Sequence, residues 1–142
     1  MNSNMSSENQ LKIDTQMLIR KPVPQVFEAF VDPEITTKFW FTKSSGKLAL
    51  GKTVRWDWEM YDVSDSLTVI EFEQNRRICI DWFSDPSITE FRFDAVGKEQ
   101  TLVTISSWNF PDSMDKALPM ALDAKGGYTI VLAGLKAWLE HG

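Results

Sequence analysis

Histidine and cysteine are almost missing from this 142-residue sequence, with His141 and Cys79 the only examples. A single cysteine forms no disulfide within the chain, and one histidine with one cysteine builds no Cys/His metal cluster. A carboxylate-only metal site would need a ligand loop, and no such motif is present. Neither a metal nor a cofactor is expected. Basic residues are outnumbered, 15 against 20 acidic, for a net charge of −5. Binding to nucleic acid by phosphate neutralisation needs the opposite balance. No apolar run approaches the roughly 20 residues of a membrane-crossing helix. The opening "MNSNMSSENQ" lacks the basic and apolar parts of a secretory signal. These absences predict a cytoplasmic protein with no membrane or nucleic-acid partner. Residues 1–10 are polar and Ser/Asn-rich, the composition of a disordered leader to a single domain over 11–142.

Aromatic residues are plentiful instead, with six Trp, nine Phe and two Tyr. Each ring brings about 150–250 Å² of surface that needs a matching space. In "VRWDWEM", read as a strand, Val54, Trp56, Trp58 and Met60 share one face and Arg55, Asp57 and Glu59 the other. Two tryptophans on one face either fill a core or wall a cavity.

Residues 13–20 alternate as a strand, after which Val23, Val26, Phe27 and Phe30 fall at helical spacing between Pro22 and Pro33. A second short helix is expected from Pro33 to about Phe39. Apolar-patterned runs over 48–60, 65–74, 76–84, 87–97 and 100–110 are separated by breaks too short for anything but hairpins. They predict an antiparallel meander of about six strands. Tyr128, Val131, Leu132, Leu135, Trp138 and Leu139 form the apolar stripe of a C-terminal helix lying on that sheet. Pro119 and the pair Gly126-Gly127 interrupt the segment before it, which reads as a short helix and loop. That segment is either a lid hinged at the glycines or a plain cover for the sheet end. The fold class expected is α+β, in two layers.

The stretches "KPVPQVFEAFVDPEITTKFWF", "VIEFEQNRRICIDW", "TLVTISSWNF" and "GGYTIVLAGLKAWLEHG" occur in this order. Together they resemble the START-like (SRPBCC) superfamily, in the branch named after the activator of the ninety-kilodalton heat-shock ATPase. The likeness covers about residues 11–141. It departs at Gly51-Lys52, where a Gly-Gly is usual, at "DSLTV", which lacks a glycine, and at Tyr128, where the branch has Trp. The resemblance implies a helix-grip fold, a curved antiparallel sheet wrapped around a long C-terminal helix, with a cavity between them that many relatives use for small apolar or amphipathic molecules.

Candidate ligand-binding residues follow from phase and position. Trp56, Trp58 and Met60 share a face, as do Ile78, Ile80 and Trp82. Trp40, in "KFWF", is either a gate at the cavity mouth or part of a plug. Phe91 and Phe93 share a face, with core packing as the default for both. Ser107 is in phase with Val103 and Ile105, either orienting a ligand or bonding local backbone. Tyr128 opens the long helix and either aims its hydroxyl into the cavity or simply packs. Glu71 is a candidate acid or base only if it points inward, and a solvated position is the commoner fate.

The function expected is non-enzymatic binding of a small apolar or aromatic molecule. The alternatives that the resemblance implies are an enzyme of the polyketide cyclase/dehydratase type and a protein-interaction domain assisting a chaperone in the stress response. A homodimer is left open.

Overall fold

The computed structural model describes residues 11–142, so the leader expected over 1–10 lies outside the described residues. The sheet is built from β1 (Lys12–Ile19), β2 (Lys43–Ser44), β3 (Thr53–Trp58), β4 (Val63–Glu73), β5 (Arg77–Trp82), β6 (Ile88–Ala95) and β7 (Thr101–Trp108). The helices are α1 (Val23–Val31), α2 (Pro33–Thr36) and α3 (Met114–His141), with one 3-10 turn at Glu59–Tyr61. The seven strands lie in the order β1-β7-β6-β5-β4-β3-β2, every neighbouring pair antiparallel. Six were expected. The seventh, β2, is a two-residue edge strand inside a turn-rich connection, too short to leave a period in the sequence.

Local chemistry explains the short helices. Pro24 lies in the first turn of α1, and Asp32 stands extended ahead of Pro33, as a residue preceding proline prefers. The Asp32 carboxylate then caps α2 by accepting from the Glu34 amide at 3.0 Å. The Thr36 hydroxyl donates back to the Ala29 carbonyl at 2.6 Å, tying the two helices together. Phe27 and Phe30 from α1 bury against Phe93, with ring centroids 5.1 and 5.6 Å away.

β4 resolves an ambiguity in "LTVIEFE", where both strand phases are mostly apolar. The ladder with β5 slips between Val69 and Glu71, a bulge that leaves Ile70 40% exposed. Leu67 and Val69 face inward before it, and Phe72 packs on Phe27 after it. Glu71 is therefore on the outside. It pairs with Arg77, which also binds Glu90 at 2.7 Å and Glu73 at 3.1 Å.

The segment expected to be a short helix and loop is instead the first half of α3, continuous from Met114 to His141. Pro119 has no N–H for the helix ladder, and Gly126 and Gly127 are weak helix formers. Tertiary packing outweighs both, because Ala117 and Ala121 bury against Ile13 and Phe110, with Met120 and Tyr128 alongside. Neither a lid nor a hinge is built there. At its other end α3 is held by Glu140, whose carboxylate accepts from the Lys136 ammonium and from the Arg20 backbone amide, both at 2.8 Å. These partners lower the Glu140 pKa, Lys136 most.

Candidate functional site

Inward-facing residues near the β3–β4 and β5–β6 hairpins meet the first half of α3 around a cavity of about 460 Å³. Its aromatic wall consists of Trp40, Trp58, Trp82 and Tyr128, joined by Phe110 from the end of β7 and by Met120 and Val131 from α3. Gly127 also lines it, and a Cβ there would meet nothing within 4 Å. The glycine that weakens the helix thus contributes open space.

The two tryptophans of "VRWDWEM" have separate fates. Trp56 is 1% exposed and enclosed by rings. Phe41 stacks on it at 4.3 Å, while Trp40 and Trp82 approach at 4.9 and 5.7 Å. Trp58 is half-buried and lines the cavity, 6.5 Å from Trp40. Met60 does not continue the face. The strand ends at Trp58 and turns into the 3-10 segment, which leaves Met60 77% exposed and away from the cavity. Phe91 and Phe93 are core residues. Phe91 backs the wall, 5.9 Å from Trp40 and 6.3 Å from Tyr128, and Phe93 packs on α1. Of the residues singled out from the sequence, Trp40, Trp58, Trp82, Ser107 and Tyr128 therefore share the cavity, Trp56 and Phe91 support it, Phe93 belongs to the core against α1, and Met60 does none of these.

Beneath the aromatic wall runs a chain of hydroxyls. Thr89, fully buried on β6, is its centre, with Trp82 Nε1 and the Tyr128 hydroxyl each 3.0 Å and the Ser107 hydroxyl 3.2 Å from its Oγ1. Ser107 donates its own proton to the Ile88 carbonyl at 3.0 Å. A hydroxyl has one proton to donate, so the direction of every bond follows. Tyr128 donates to Thr89, Thr89 to Ser107, and Ser107 to the backbone, while the Trp82 indole donates to Thr89. The Tyr128 oxygen keeps its lone pairs. Burial pushes its phenol up to about 12, and the charges of Asp85 and Asp65 add to the rise.

Carboxylates are present where the sequence pattern suggested none. Asp65, Asp85 and Asp123 line the cavity, and among the described residues no lysine, arginine or histidine does. Asp65 stands opposite Trp56 on β3 and accepts from the Ser84 hydroxyl at 2.6 Å and the Ser66 amide at 2.8 Å. Asp85 accepts from the Ser87 amide at 2.7 Å. The signal for Asp65 was its phase with Leu67 and Val69, and for Thr89 its phase with Phe91 and Phe93. Asp123 sits on a stretch of helix that the pattern hid, and Asp85 in a turn. Among the described residues, no group of histidine, cysteine and carboxylate side chains is placed to hold a metal.

A curved antiparallel sheet closed over one long helix, with an aromatic cavity between them, defines a START-like protein of the helix-grip kind. Within that class the chain belongs to the family described as "Activator of Hsp90 ATPase homolog 1-like protein", which it matches over residues 20–140. A crystal structure of a Staphylococcus saprophyticus protein is similar at 33% identity and TM-score 0.82, with 93% of each chain covered. The Aha1 dimer of Colwellia psychrerythraea shares the fold at 18% identity and TM-score 0.77, covering 93% of this chain and 98% of that one. The di-domain ARO/CYC BexL of the BE-7585A biosynthetic pathway also shares it, at 12% identity and TM-score 0.80. There the match covers 92% of this chain and 46% of BexL. No functionally curated protein matches the sequence. Among the described residues, no helix is long and apolar enough to cross a membrane.

Proposed function

We propose that this protein binds a small apolar or aromatic molecule between its sheet and its C-terminal helix, without transforming it. One observation carries the reading. The cavity of about 460 Å³ is walled by Trp40, Trp58, Trp82 and Tyr128, and its size falls within the roughly 300–1,000 Å³ typical of small-molecule sites. Trp56 and Phe91 hold that wall in place from behind. Binding is favoured over acid–base catalysis because the Tyr128 phenol, pushed up to about 12, lies far from the neutral range in which proton transfer is most effective. Its proton is also committed to Thr89.

Native mass spectrometry of gently purified protein tests the reading. An extra mass of a few hundred daltons, lost on denaturation and lost in a folded Trp58→Ala variant, supports it. A bound mass unaffected by Trp58→Ala and by Trp82→Ala would place the molecule elsewhere and contradict it. We also propose a homodimer, on the precedent of the Colwellia psychrerythraea protein. Light scattering coupled to gel filtration reads this directly, and a monomer mass at micromolar concentration rejects it.

A further inference from the structure

The proposed site has a polarity that its aromatic walls do not require. Three of its lining side chains, Asp65, Asp85 and Asp123, are carboxylates, and among the described residues no lysine, arginine or histidine lines it. The hydroxyl chain adds to the same sign, since Tyr128 directs its proton into Thr89 and leaves its oxygen lone pairs for a ligand. Ser87 also lines the cavity, at 5% exposure.

We infer that the ligand is an aromatic or apolar molecule carrying a protonated amine, its ring against Trp58 and Trp82 and its ammonium toward Asp65 and Asp85. This rests on the binding role proposed above and specifies the charge of what is bound. An ammonium supplies donors to acceptor-only carboxylates and is attracted to indole faces by their quadrupole. An anionic ligand, such as a fatty acid, would lose its hydration beside three like charges, which disfavours it.

Three probes of nearly equal shape decide the matter: naphthylmethylamine, naphthylmethanol and naphthoate, each titrated into the full-length protein by calorimetry at neutral pH and low salt. The amine is expected to bind about tenfold more tightly than the alcohol, and the alcohol more tightly than the acid. The gap between amine and alcohol narrows with added salt. In Asp65→Asn/Asp85→Asn the gap shrinks to about threefold. Alcohol binding as tight as amine binding in the native protein would overturn the inference and leave the binding role intact. If none of the three binds, the binding role fails with it. The comparison among probes on the native protein stands even if the double variant does not fold.

Discussion

Thr89→Val is the sharpest probe of how the cavity floor is built, because it keeps the side-chain shape and removes one hydroxyl. That hydroxyl is fully buried and holds three partners, Trp82, Tyr128 and Ser107, at 3.0, 3.0 and 3.2 Å. A net loss of about 0.5–1.5 kcal/mol per hydrogen bond, with about 1–3 kcal/mol for a donor left buried without a partner, sets the scale. Tyr128 can turn its proton toward the cavity, whereas the Trp82 N–H is fixed by its ring. The expected cost is about 2–4 kcal/mol. Urea unfolding followed by tryptophan fluorescence reads it as a midpoint lowered by about 1–2 M, taking a slope near 2 kcal/mol per M. Tyr128→Phe removes a single donor and should cost about 1 kcal/mol. Thr89→Ser should recover most of the loss. A Thr89→Val variant within about 0.5 kcal/mol of the native protein, or a Tyr128→Phe variant that costs more than Thr89→Val, would refute the assigned directions of these bonds.

Trp56→Ala should cost about 3–5 kcal/mol in the same assay, as expected for a fully enclosed ring, whereas Trp58→Ala should cost clearly less yet weaken probe binding by at least about threefold. Glu140→Gln should lower stability by about 1–3 kcal/mol at pH 7. Because the native pKa of Glu140 is lowered from its ordinary 4.5, this contribution is complete above that value and vanishes as pH falls through the lowered one. The gap between Glu140→Gln and native protein should therefore narrow as pH falls below 4.5, and a gap that does not change with pH would contradict the pairing. Gly126→Ala should stabilise the protein by about 0.5–1 kcal/mol as read by thermal melting, since it sits exposed within a continuous helix. Gly134→Ala should instead destabilise it by about 1–3 kcal/mol, because its new Cβ would lie 3.0 Å from the Phe39 carbonyl oxygen.

Where periodicity is undisturbed, sequence and structure agree in detail. Val26, Phe27 and Phe30 mark the buried side of α1, and the alternation of Phe91 and Phe93 marks the inner face of β6. The disagreements each have a local cause. In β4 the bulge at Ile70 takes Glu71 out of the inward phase that Asp65, Leu67 and Val69 share. Read as one uninterrupted strand, that phase looks mixed, and Asp65 is lost with it. Pro119 and Gly126-Gly127 conceal the first half of α3, because the burial of Ala117 and Ala121 that sustains it involves partners more than a hundred residues away, such as Ile13. Asp123 and Met120 were hidden for the same reason. Met60 shows the opposite failure. Its alternation with Trp58 carries it two positions beyond the end of the strand, into a 3-10 turn that Asp62 closes in a left-handed conformation.

The central claim is that the aromatic-walled space beneath α3 is a binding site, and the six tryptophans provide its most direct test. Each indole N–H gives its own signal in a proton–nitrogen correlation spectrum, so adding naphthylmethylamine reports the position of binding ring by ring. The account predicts saturable shifts for Trp40, Trp58 and Trp82, with Trp108 and Trp138 unmoved. Shifts confined to Trp108 or Trp138, or no saturable shift at any indole, would contradict it.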